Sequence, residues 1–221
     1  MVDVGVGDVQ REATRDLLGA LAYGQLKAYE QMAADAALAP SLPDRIALAG
    51  VAAAELAGFH TLLRHLEAVG EDPLAAMAPI VAPVDAFHER TRPADWPQAL
   101  VKVHVGDGIA RDFYREVAAF LDDPATRAVV TGVLGEVGYA ELVVDRVRAA
   151  QQADPTLSGR LALWARRLVG EALAQTQTAA VERDALVDLV SSSGDLADLL
   201  AVMQRVTEAH SVRMAELGLS A

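Results

Sequence analysis

The chain of 221 residues contains no cysteine. That excludes a disulfide framework, a thiolate metal site and a cysteine nucleophile, so any metal must be held by oxygen and imidazole. Aromatic residues make up only 5%, and β-branched residues are outnumbered by helix formers, chiefly Ala and Leu, which favours helices over strands. Positive charge is scarce as well: 19 Lys and Arg against 31 Asp and Glu give a formal net charge of -12. Such a surface repels phosphate backbones on average, which argues against broad nucleic-acid binding. No run of ~18 uncharged apolar residues occurs, so no membrane span is expected. The opening MVDVGVGDV has neither the basic nor the apolar region of a signal peptide, and the cytoplasm is the expected compartment.

What the chain does have is helical periodicity over nearly its whole length. The pattern predicts a first helix over about Val9–Ala39, closed by Pro40 to Pro43, and a second from an Asp44 N-cap to Val69, ended by Gly70. Residues 71–95 hold Pro73, Pro79, Pro83 and Pro93 and read as a long connection with one short helix near Asp85–Glu89. Asp95 caps a third helix to about Leu121. A fourth starts at Asp122-Asp123-Pro124 and runs to about Ala153. A fifth spans about Leu157–Val190 and ends at the Ser191–Gly194 run, and Asp195 caps a last helix to Leu217. The expected architecture is all-α: two antiparallel hairpins (about 9–153) joined by a crossover (70–95), with a helical hairpin (about 157–217) appended in one domain. A long crossover joining two hairpins is the connection expected of a ferritin-like four-helix bundle. Leu196, Leu199, Leu200, Met203 and Val206 give the last helix an apolar face, to be packed inside the chain or used in a homodimer.

Each of the first four helices carries an apolar stripe at spacings of three and four, and one polar residue interrupts each stripe. Gln25 interrupts Leu18, Leu21, Ala28, Tyr29 and Met32; Glu55 interrupts Val51, Ala52, Phe59, Leu62 and Leu66. Asp107 interrupts Leu100, Val103, Ala110, Tyr114 and Val117; Glu136 interrupts Val129, Val133, Ala140, Val143 and Val147. Measured from the turns near residues 41 and 123, the four lie at matching distances along their helices at ~1.5 Å per residue, so they are expected to face one another. A shift of 81 or 82 residues also superposes Glu55 on Glu136 and Gly24-Gln25 on Gly106-Asp107, which supports a duplicated hairpin.

Carboxylates gathered in an apolar core need a metal, a basic partner or a proton. Di-iron and di-manganese bundles use Glu from two helices and Glu-x-x-His from the other two. Here Glu55 is followed by Gly58 and Glu136 by Tyr139, so the ligand set is depleted. His104, one turn before Asp107, is the best substitute ligand; His60 is out of phase with Glu55 and reads as a surface residue. Arg111, one turn after Asp107, offers a metal-free ion pair on the same helix, and Tyr29, Tyr114 and Tyr139 offer hydroxyl donors. The cofactor is therefore either iron or none. A glycine beside each of Gln25, Asp107 and Glu136, and beside Glu171, points to close helix approach or room for a ligand, and whether the fifth helix joins the pocket through Glu171 is left open.

The segments AYGQLKAY, AAAELAGFHTLLRHLEAVGEDPLAAMAPIVAPVDAFHERTRPADW, VGDGIARDFYREVAAFLDDP and GRLALWARRLVGEAL resemble the actinobacterial ferritin-like proteins grouped with the tRNA 2-methylthio-N6-isopentenyladenosine hydroxylases. The likeness runs from about residue 14 to the end. It implies a ferritin-like bundle whose relatives use paired irons and O₂ to hydroxylate an isopentenyl group on tRNA. Nearer relatives carry Glu at position 25 and His at positions 58 and 139, where this chain has Gln25, Gly58 and Tyr139. The resemblance thus implies an oxygenase, with Glu55, Asp107, Glu136 and His104 as ligands, or a member that keeps the fold to bind a partner or a small apolar ligand.

Overall fold

A computed structural model describes residues 6–135, 139–182 and 196–220, with side chains at 7–135, 139–172 and 197–220. Among the described residues the secondary structure is entirely helical. Helix α1 (Val6–Asp35) continues as a short 3₁₀ turn and is followed by α2 (Leu42–Ala68). The N-cap of α2 is Ser41, not Asp44: the Ser41 hydroxyl accepts from the Asp44 backbone N–H and donates to its carboxylate at 2.6 Å. Asp44 sits two residues inside the helix and is claimed by Arg146 across the bundle at 2.6 Å. By length and composition α2 resembles a membrane span, yet it lies along α1 and carries Glu55 on its buried face.

The crossover departs most from expectation. Instead of a loop with one short helix, residues Pro73–Arg90 form the continuous helix α3 with Pro79 and Pro83 inside it. Asp72 caps it through the Leu74 N–H, and Pro73 occupies the first turn, where its missing donor costs nothing. Each internal proline deletes one i→i−4 bond. The carbonyls so freed belong to Ala75 and Pro79, both exposed residues, whose surroundings are open to water. Tertiary contact supplies the rest: Ala76, Met77, Ile80 and Phe87 are buried, and Asp85 accepts from Tyr23 at 2.7 Å. α1 and α3 approach closely enough that a Cβ on Gly19 would lie 2.3 Å from the Ala76 carbonyl oxygen. Gly19 is therefore a contact point of the crossover.

The third helix of the bundle begins at its Asp95 cap but is not regular. α4 (Trp96–Val101) passes through a π turn at Lys102–Gly106, closed by the Asp107 N–H on the Lys102 carbonyl, into α5 (Asp107–Ala118). In the fourth helix, α6 (Pro124–Val133), capped by Asp123, gives way to a turn at Leu134–Gly135, and α7 spans Ala140–Ala153. Gly132 and Gly135 lie at the end of α6, and glycine is the weakest helix former after proline. α8 (Leu157–Glu182) follows; its expected extension to Val190 and the Asp195 cap lie outside the described residues. The last helix, α9 (Leu196–Glu216), packs on α5 and the π turn. Val202, Val206 and Met214 are buried there; of the expected apolar face Val206 is buried and Leu199 packs against the core, while Leu200 stays 68% exposed.

The buried apolar residues fall into two clusters. One gathers Ala28, Met32, Leu48, Val51, Ala52, Leu100, Val105, Val143 and α8; the other gathers Leu18, Leu21, Ala22, Leu62, Leu66, Val117 and Val130. Each helix of the bundle crosses from one cluster to the other, and the crossing level is polar.

Candidate functional site

Gln25 sits between Ala22 of one cluster and Ala28 of the other, Glu55 between Ala52 and Leu62, and Asp107 between Val105 and Val117. The three expected residues thus share a level in the core. Glu136 lies outside the described residues.

Glu55 is 2% exposed, and burial alone pushes its carboxyl upward. The opposing influence is Arg111, whose guanidinium forms a close ion pair with the Glu55 carboxylate and also donates to the Gly135 carbonyl at 3.2 Å. The expected Asp107–Arg111 pair is therefore corrected. The two share a face of α5, but the guanidinium reaches past Asp107 to α2. Arg115, one turn on, donates to the Leu134 carbonyl at 2.8 Å. Two arginines of α5 thus cap acceptors left free where α6 ends.

Gln25 is 6% exposed, and its amide occupies the space beside Gly58. A Cβ at position 58 would stand 2.1 Å from Gln25 Oε1 and 3.1 Å from Val133 Cγ1. Gly58 is therefore a true close-approach glycine. Gly24 and Gly170 are not, since a Cβ there meets nothing within 4 Å, and at Gly106 it meets only ordinary contacts. The expectation of tight helix approach at those positions fails.

Asp107 keeps some exposed surface, but its carboxyl is enclosed, and burial pushes it up to about 7. Lys102 opposes that rise and Glu55 reinforces it. Lys102 was not anticipated. Its side chain is 1% exposed, its Nζ has no hydrogen-bond partner, and it lies 5.8 Å from the Phe87 ring centroid. Burial lowers it to about 8, against the pull of Asp107 and Asp35. Regular α-helical phase puts position 102 beside the stripe of Leu100 and Val103, but every residue from Ala99 to Gly106 is buried, so this stretch has no solvent face. The available signal was a lysine set in the run LVKVHV. Asp35, 4% exposed with Oδ2 unpartnered, and His88, with Nδ1 buried and unpartnered, complete this second polar group.

His104 is buried but turned away from the carboxylates. Its Nε2 meets Glu216 of α9 at 3.3 Å, and burial lowers its pKa against the Glu216 contact. It is not a ligand of the core cluster. Tyr139 donates to the Val103 carbonyl at 3.3 Å rather than to a carboxylate, and burial raises its pKa. Tyr29 and Tyr114 pack against the two apolar clusters, Tyr114 edge-on to Phe113. Glu171 is paired with Arg90 at 2.5 Å, where Arg90 is half-exposed, so it does not line the core. Trp164 and Leu168 are what α8 contributes, with Trp164 Nε1 donating to the Gln98 carbonyl at 3.0 Å. His60 is exposed against Phe59, as its phase implied.

A pair of irons needs convergent, unclaimed carboxylates and imidazoles. Among the described residues no group of three or more His, Asp or Glu is placed to hold a metal. Glu55 is taken by a guanidinium, an amide fills the position beside Gly58, and the charge of Lys102 acts on Asp107. The donors among the described residues do not fit a dinuclear centre.

These features define the class: an all-α ferritin-like bundle with Gln25, Glu55 and Asp107 at one level of its core. A family model described as a ferritin-like domain of actinomycetes matches residues 8–193, and the chain belongs to that family. No curated protein matches the chain.

Proposed function

We propose that this chain is a metal-independent ferritin-like scaffold of hydroxylase-like ancestry, keeping the bundle to bind a small ligand or a partner. The carrying observation is the Arg111 guanidinium on the Glu55 carboxylate. A divalent ion bound there would have to displace a buried cation already compensating that charge, and breaking such a pair costs about 3–5 kcal/mol. Lys102 supplies a second internal cation beside Asp107. The polar layer is thus neutralised from within the chain.

In the hydroxylase reading, Glu55, Asp107 and Glu136 would bind iron, which would activate O₂ for a tRNA substrate. The resemblance to tRNA hydroxylases favours that reading; the ion pair at Glu55 and the net charge of -12 weigh against it. The test is reconstitution with ferrous iron in air, followed by metal analysis of the desalted protein. The scaffold reading expects far less than one iron per chain. Two irons per chain with a near-ultraviolet oxo-bridge band would overturn it.

A further inference from the structure

Helix α2 is apolar on two faces. Its inner face, with Leu48, Val51, Leu62 and Leu66, is buried in the core. The opposite face, followed at ~100° per residue, consists of Leu42, Ile46, Ala49, Ala53, Ala57 and His60, every one of them exposed. Leu42 and Ile46 keep 67% and 63% of their surface. Between Arg45 and Arg64 the only charged side chain is Glu55, and that one is buried. In a chain that is 23% charged, the outer face of α2 is thus a neutral stripe. A helix that is apolar all round belongs in an interior, and a contiguous apolar surface of this kind marks a contact.

We propose that the outer face of α2 is the interface of a two-fold, antiparallel dimer of this chain. Charge selects the occupant and its direction. Two copies with a net charge of -12 repel on average, and the neutral stripe is where that repulsion is least. Exposed Arg45 stands at the start of α2 and exposed Glu67 at its end, on the same flank of the outer face. A second α2 run antiparallel about a two-fold axis near Leu56 brings each Arg45 to Glu67 of the other copy, and the symmetry makes the pair twice. The same register lays His60 and the aliphatic stem of Arg64 over Ala53 and Ala49 of the other copy, large against small. Parallel pairing would oppose Arg45 to Arg45 and Glu67 to Glu67. The 27 residues of α2 make a ridge ~40 Å long at ~1.5 Å per residue. One such helix pair is a contact at the low end of specific interfaces, below about 1,200 Å² in total, so the dimer is expected to be a weak one.

The test is sedimentation velocity of the full chain from about 1 to about 200 µM, the range of a weak dimer. The parent should pass from monomer to dimer as concentration rises. Ala53→Glu changes an exposed residue and should keep the parent's far-ultraviolet circular dichroism, yet remain monomeric throughout. Arg45→Glu and Glu67→Arg should each weaken association about fivefold or more, since two pairs turn repulsive at once. The double variant Arg45→Glu, Glu67→Arg should return to the parent's association, which only reciprocal antiparallel pairing explains. Should Ala53→Glu not fold, the charge swap decides alone. A parent that stays monomeric, a dimer indifferent to Ala53→Glu, or a swap that fails to restore association would overturn the proposal. A monomer that co-sediments with phosphatidylcholine vesicles would overturn it too, assigning the stripe to a lipid surface.

Discussion

The side-chain amide of Gln25 occupies the space that a Cβ on residue 58 would need, at 2.1 Å from its position. Glutamine at 25 and glycine at 58 are therefore one structural unit: the amide extends across the bundle because residue 58 has no side chain. A histidine at 58 and an extended Gln25 are mutually exclusive in this packing.

Gly58→Ala should accordingly depend on residue 25. On its own, the alanine gains helix propensity of about 1 kcal/mol but displaces the amide and presses on Val133. In a Gln25→Ala background much of the clash disappears. Urea unfolding of the four proteins should give a coupling of about 1 kcal/mol or more, alanine at 58 being better tolerated when 25 is alanine. Additive effects would refute the unit.

Arg111→Met should strand the Glu55 carboxylate in the core and cost about 3–5 kcal/mol at neutral pH. Combining it with Glu55→Gln should recover much of the loss. In the single variant Glu55 is raised further above its ordinary value. Stability attached to a raised carboxyl is present below its unfolded pKa and lost as pH rises through the folded one. The deficit should therefore shrink as pH falls toward the ordinary carboxylate range, which thermal melts at several pH values will check.

Asp107→Asn addresses the carboxyl that burial lifts to about 7. Protonated Asp107 is at home in the core and ionised Asp107 is not. The parent should lose stability across the window from about 4 to about 7, and the asparagine variant should lose less. Melting temperatures should diverge in favour of Asp107→Asn as pH rises through that window. Curves that remain parallel from pH 4 to 7 would contradict the burial of this group.

Lys102→Met has the opposite pH signature. A lysine lowered to about 8 is disfavoured in the fold while charged, so the parent gains stability from this group as pH rises from about 8 to 10.5. The methionine variant should be the more stable at pH 7, with its advantage narrowing toward pH 10. A constant difference between the two melts would show that Lys102 does not titrate inside the core.

The meeting of Gln25, Glu55 and Asp107 at one level was legible in the sequence because helical rise and apolar phase are both regular over α1 and α2. What escaped were the departures from regularity. Lys102 is buried because Ala99–Gly106 is enclosed on every side, α8 and the last helix packing on it, and no one-sided stripe drawn at 3.6 residues per turn reveals that. Arg111 was identified as a counter-charge but given the wrong partner. A same-helix neighbour is visible along the chain, whereas Glu55 is its neighbour only after the helices pack. Helix α3 was hidden by Pro79 and Pro83, whose cost is met by exposed carbonyls and by contact with α1. His104 was assigned to Asp107 by spacing, and Glu216, which takes it, lies more than a hundred residues away.

The π turn at Lys102–Gly106 has a consequence for how this chain can change in length. In a plain α-helix the Asp107 N–H would take the Val103 carbonyl; here it takes that of Lys102, and the Val103 carbonyl accepts from Tyr139 instead. Deleting one of residues 104–106 would restore the regular ladder with α4 and α5 near their present faces, because a π turn is an α turn carrying one extra residue. The Val103 carbonyl would then return to the helix ladder, and the Tyr139 hydroxyl would lose its acceptor. A single lost codon here would rewire interior hydrogen bonds while the helix keeps its register in the bundle.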